Sequence, residues 1–187
     1  MAADWIPRIE QQSMTPALAD YLAPRVKRLG YLGEWFRCAA HAPQVLLAFL
    51  HFTDALKEAL PMQVSEAIVL TVATAKANHY ERNQHERLLL RSGMSRAWVS
   101  EVEALAPEQS TLMTPAERAA QRYVLAALSD DATLRSETFD ALADHFNPGE
   151  AIAILMLVGR YWTHTLGVDT LDLVPPVPSI FEDGFTA

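Results

Sequence analysis

A single cysteine, Cys38, is all the thiol that this chain of 187 residues carries. It can form no internal disulfide and no cysteine-rich metal site, a usage that suits a reducing compartment. Basic residues are also scarce, with 15 Lys and Arg against 23 Asp and Glu and a formal net charge of -8. The electrostatic footprint of a DNA- or RNA-binding protein is therefore missing. The longest uninterrupted apolar run, residues 151–158, falls far short of the roughly 20 residues that a membrane helix requires. Residues 1–10 include Asp4, Pro7 and Glu10 and lack a basic start followed by an apolar run, so they do not read as a secretory signal. The expectation is a cytoplasmic protein with neither a nucleic-acid nor a membrane partner.

Hydrophobic residues make up 50% of the chain, ample for one globular domain spanning residues 1–187. No segment sustains the apolar–polar alternation of a strand with hairpin dipeptides between such runs. Helix punctuation recurs instead. Thr15-Pro16 opens a helix closed by Gly30, a short helix fits residues 32–40, and Pro43 starts another running to about residue 60. A buried helix follows from Val64, then a bend near Ala77, a helix over 81–91 stopped by Ser92-Gly93, and one capped by Ser95. Thr114-Pro-Ala-Glu117 and Asn147-Pro-Gly-Glu150 each combine a cap, a first-position proline and a glutamate three residues on. A further helix fits residues 136–146, and Val174-Pro-Pro-Val-Pro178 forces an extended tail over 174–187. The fold class is all-α, a helical bundle of about eight helices.

The chain turns on residues 64–85, VSEAIVLTVATAKANHYERNQH. A glutamate opens it, an apolar segment fit only for burial follows, and a dense polar cluster ends it. Glu81 and His85 are four apart, so on a helix the carboxylate can orient or charge the imidazole, a usable general acid or base. Taken singly, each residue also has a plainer role. Glu81 and His85 fit a solvated pair, Glu66 a first-turn glutamate favoured by the helix dipole, and Tyr80 a core ring. Ser65-Glu66-Ala67-Ile68 is weakly echoed by Gly149-Glu150-Ala151-Ile152, as two related halves would be.

Together, Glu66, Asn78, Glu81 and His85 have a spacing that resembles the signature of the carboxymuconolactone decarboxylase and alkylhydroperoxidase D-like superfamily. Residues 87–98, RLLLRSGMSRAW, resemble the family's next element, a helix, a glycine and a capped helix. The motif core covers residues 64–105, and the second half, 114–173, resembles the longer members. Peroxidase members of the family carry cysteine at both positions held here by Asn78 and Glu81. With Cys38 alone, a dithiol peroxidase cycle cannot run. Cys38 itself reads as a small buried apolar residue.

The resemblance is closer to the decarboxylase-like branch. It implies a cofactor-free lyase, with no metal, that decarboxylates a small carboxylated lactone or related organic acid. On this basis His85 is cast as proton donor, Glu81 as its orienting partner, Glu66 as a relay or a supporting carboxylate behind it, and Tyr80 as a hydrogen-bond donor to substrate. An anionic substrate calls for positive charge, and Arg82, Arg160 and the neighbouring Asn78 are the substrate-binding candidates. Glu66, Glu81, His85, Glu150 and His164 are metal-donor types, but the ferritin-like pattern of glutamate and histidine three apart does not occur. Alternatives are a lactone hydrolase or isomerase, and a non-catalytic small-molecule or partner-binding protein on the same scaffold. The family further implies a homo-oligomer, a dimer, trimer or hexamer; the apolar segments 45–52 and 151–158 offer surface for it.

Overall fold

The computed structural model describes residues 5–182 and Phe185, among which there are nine α-helices, three short 3-10 turns and no strand. The first four residues and the last residues of the expected tail, 183, 184, 186 and 187, lie outside the described residues. The helices are α1 (Pro16–Leu29), α2 (Glu34–Ala39), α3 (Pro43–Glu58), α4 (Met62–Ala75) and α5 (His79–Arg91). They continue as α6 (Arg96–Glu103), α7 (Pro115–Ala127), α8 (Ala132–Asp140) and α9 (Pro148–Thr170).

The boundaries follow local chemistry. Proline occupies the first position of α1, α3, α7 and α9, where its missing N–H costs nothing. Complete capping boxes open α7 at Thr114 and Glu117 and α9 at Asn147 and Glu150. Three expectations are corrected. The helix expected over 136–146 begins at Ala132, because Asp131 caps it by accepting from the Leu134 amide at 2.9 Å. It ends at Asp140 and gives way to a 3-10 turn, Ala141–Asp144. The helix expected from Glu81 starts at His79, since Asn78 is its cap rather than its breaker.

At the centre lies α4, whose residues from Val64 to Ala73 are all buried. It packs against α5, α6, α7 and α9, with Ile68, Val69, Val72, Val124, Ile154 and Leu157 in the main core. Each such aliphatic side chain contributes about 1.5–3 kcal/mol by leaving water. Helix α9 has the length and mean hydropathy, 1.2, of a membrane span, yet half of that window is buried and it directs Arg160 and His164 inward. One face of it packs into the core against α4 and α3. Gly167, expected near its end, lies inside it: a Cβ there would come within 2.1 Å of Cζ3 of Trp35, so only glycine admits α2. The tail returns along α5, where Asn83 Nδ2 donates to the Val177 carbonyl and Ile180 enters a core with Leu70, Leu89 and Trp98.

Candidate active site

The site forms where α4, α5 and α9 meet α3 and α1. Glu66 sits in the second turn of α4, beyond the first-turn position at which the helix dipole would account for it, and is 3% exposed. The chain then reverses at Ala77, whose φ of 52° is left-handed, and Asn78 caps α5 by accepting from the Glu81 amide at 3.1 Å. Asn78 Nδ2 also donates to Thr165 Oγ1 on α9 at 3.0 Å, which fixes the start of α5 against α9. This double tie puts Glu81 and His85 on the buried face of α5, so they are not a solvated pair.

A continuous line of charge results. His85 Nδ1 lies 2.5 Å from Glu66 Oε2, and His85 Nε2 lies 3.3 Å from Glu81 Oε1. Lys57 of α3 donates to the other Glu66 oxygen at 2.9 Å. Arg160 Nη1 and His164 Nε2 each stand 3.6 Å from the Glu81 carboxylate. Tyr161 meets the His85 ring edge-on, with centroids 5.8 Å apart. A cavity of about 110 Å³ opens onto these groups, lined by Glu81, His85, Arg160 and His164 together with Lys57 and Arg25.

The proton states follow from this geometry. Burial works against a charged His85, but the Glu66 carboxylate beside it overcomes this and raises the imidazole to about 10. Burial would raise Glu66, yet the His85 charge and hydrogen bond, with Lys57, hold it at about 2. Glu81 is likewise pulled well below the usual carboxylate range against burial, by His164 first, then His85 and Arg160. His164 goes the other way: burial outweighs the pull of Glu81 and lowers it to about 4, so it is neutral near pH 7. Among the described residues no three His, Cys, Asp or Glu side chains are arranged to hold a metal ion. The cations Lys57 and Arg160 already neutralise the carboxylates that would have to bind one.

Of the residues singled out in the sequence, Glu66, Glu81, His85 and Arg160 converge here, and His164 joins them. Tyr80 lines the cavity but its hydroxyl accepts from the Trp35 amide at 3.2 Å, which ties α5 to α2. Asn78 acts as a cap and cross-tie, off the cavity wall. Arg82 departs from expectation: it lies on the neighbouring face of α5, where Nε pairs with Glu86 at 3.0 Å. Glu150 is a capping-box glutamate bonded to the Asn147 amide, far from the role of its supposed counterpart Glu66. Cys38 is buried with Tyr80, Val168 and Leu173, and burial raises its thiol. Sequence reasoning missed Lys57, Thr53, Tyr161 and Arg25. The signal for three of them was periodicity: Thr53 and Lys57 continue the stripe of Leu46 and Leu50, and Arg25 that of Leu18 and Leu22.

No protein-family model matches the chain, and no curated protein matches its sequence. Solved structures do match. A protein of Ralstonia eutropha described as an alkylhydroperoxidase AhpD core and peroxidase-related superposes with a TM-score of 0.78 over 90% of both chains, at 20% identity. The chain has the alkylhydroperoxidase D-like fold. The debrominase Bmp8, solved with 2,3,4-tribromopyrrole, shares that alkylhydroperoxidase D-like architecture at a TM-score of 0.79, 19% identity and 94% of both chains. A protein of unknown function from Agrobacterium tumefaciens matches 75% of this chain and 96% of its own length, with a TM-score of 0.67 and 19% identity. Likeness at about 20% identity carries the fold and not an activity, so activity has to be argued from the site.

Proposed function

We propose that the chain is a cofactor-free acid–base enzyme of the carboxymuconolactone decarboxylase type, acting on a small carboxylated lactone or related organic acid, with His85 as proton donor to carbon. The observation that carries this reading is an imidazole ring held between the Glu66 and Glu81 carboxylates at the wall of a small cavity, an arrangement that favours its protonated form. In a decarboxylation the bond to the departing carboxylate breaks, its electron pair stays on carbon and carbon dioxide leaves. A proton must then reach that carbon. Glu66 fixes the ring through Nδ1, so the Nε2 proton beside Glu81 is the one offered, and water restores it afterwards. Hydrolysis would instead need His85 as a resting base, which its raised pKa disfavours. The dithiol peroxidase alternative fails because Cys38 has no partner thiol in the chain.

Assembly is part of the proposal. Ile152, Leu155, Met156 and Leu166 are 51%, 43%, 42% and 61% exposed along one stripe of α9. A second copy of this chain is the occupant proposed for this apolar face.

The test is turnover of a panel of small carboxylated lactones in deuterated water, followed by NMR. Wild type is expected to release carbon dioxide and place deuterium on carbon. His85→Ala is expected to lose about 10²–10⁴-fold in rate while keeping the wild-type helical content, at a lower unfolding temperature because Glu66 and Glu81 lose their shared partner. Undiminished turnover in His85→Ala, or a wild type that acts on none of the panel, would remove the proposal in favour of a non-catalytic binder.

A further inference from the structure

We infer that Arg25 of α1 and Arg160 of α9 form a carboxylate-binding subsite in the same cavity, which anchors the substrate by a carboxylate that stays on the molecule. The inference deepens the acid–base reading and takes its substrate class from it, although binding at the subsite requires no chemistry. Both arginines line the cavity. Arg160 is 6% exposed, and its Nε donates to Thr53 Oγ1 at 2.8 Å. Its Nη1, by contrast, is buried without a hydrogen-bond partner and stands 3.6 Å from Glu81. A buried charged donor without a hydrogen bond is costly even beside an ion-pair partner, and an anion bound in the cavity would satisfy it.

Arg25 supplies the second half. It is half-buried, with its guanidinium 5.1 Å from the Phe36 ring centroid, and no hydrogen bond or ion pair holds it among the described residues. Burial and the nearby Arg160 charge lower its pKa, only partly offset by Asp54 and Glu81. Asp54 and Glu81 offset only part of the repulsion between the two arginines, and a bound anion would offset more of it. A planar carboxylate matches the guanidinium forks. A phosphate dianion fits less well, since Glu81 and Asp54 already border the space.

The placement connects the anchor to the chemistry. Arg160 Nη1 and His85 Nε2 both face Glu81 Oε1, at 3.6 and 3.3 Å, so the anchor and the proton donor are a few atoms apart. A carboxylate paired with two guanidiniums is stabilised as an anion and resists giving its electrons to carbon, so it is the group that remains.

Calorimetric titration with tetrahydrofuran-2-carboxylate, an unreactive ring acid, tests this, with the matching amide and inorganic phosphate as comparisons. Wild type and His85→Ala are expected to bind the acid and not the amide. Arg25→Gln should bind at least about tenfold more weakly, Arg25→Lys should recover part of the loss, and Arg25→Gln should unfold no earlier than wild type. Equal affinity in Arg25→Gln, equal binding of the amide, tighter binding of phosphate, or no binding of the acid by wild type overturns the subsite. If binding depends on Arg25 and no lactone is turned over, the subsite stands and the acid–base reading falls. If lactones are turned over and Arg25→Gln leaves KM unchanged, the reverse holds.

Discussion

His85 and Glu66 meet at 2.5 Å between Nδ1 and Oε2, while the far ring nitrogen of His85 faces Glu81 at 3.3 Å. An imidazole so placed rests as a cation, and a cation gives a proton before it can take one. Lys57 completes the balance behind Glu66, and Arg160 does so beside Glu81. Two carboxylates and three cations therefore hold one another in the bundle interior, where any single one would be unaffordable.

Replacing Glu66 with Gln keeps the shape and removes the charge. The variant leaves Lys57 and His85 without their shared partner and is expected to lose about 3 kcal/mol of stability, as for one member of a buried ion pair. His85 should titrate far lower than in wild type. A urea midpoint and a histidine NMR titration on the same sample check both; an unchanged midpoint contradicts the pairing.

Stability should depend on pH with a flat top and two falling limbs. Glu66, held at about 2 against an ordinary 4.5, stabilises the fold above that range and loses its contribution as pH falls through it. His164, lowered to about 4 from 6.5, adds to the acid limb because the unfolded chain takes the proton first. His85, raised to about 10 from 6.5, stabilises below that window, and the gain is lost as pH rises. Glu103 is raised to about 8 by burial and by the neighbouring Glu86 carboxylate, so its contribution fades between 4.5 and 8. Urea midpoints across pH should show a plateau between the two limbs, and Glu103→Gln should soften the alkaline one. A midpoint still rising with pH through that alkaline window contradicts the assignment.

Much of this could be read in the chain. Proline and capping-box punctuation place α1, α3, α7 and α9, and the spacing of Glu66, Glu81 and His85 brings those residues together. Arg82 misleads because it is adjacent to Glu81 in sequence but about 100° around the helix from it, beside Glu86. Lys57 and Arg25 stay hidden because their roles depend on which helices pack together, something no local pattern states. Their only trace is a charge at a position where an apolar stripe should continue.

Gly167→Ala places a methyl against the Trp35 ring, where an ideal Cβ lies 2.1 Å from Cζ3. The expected cost is about 1–3 kcal/mol from overpacking, with a changed near-ultraviolet signal from Trp35. A variant as stable as wild type contradicts the close contact of α2 with α9.

Along α9, Leu155→Glu and Leu166→Glu set charge on the exposed apolar stripe. Light scattering should report an oligomer for wild type and a smaller species for the double variant, with helical content retained. A wild type that is monomeric at micromolar concentration contradicts the proposed assembly.

The most direct test of the central claim is the protonation state of His85, read from the nitrogen-15 shifts of its ring. Both nitrogens should carry protons at neutral pH, with loss of one only on approach to about 10. A neutral His85 ring at about pH 7, titrating near the ordinary histidine value, contradicts it.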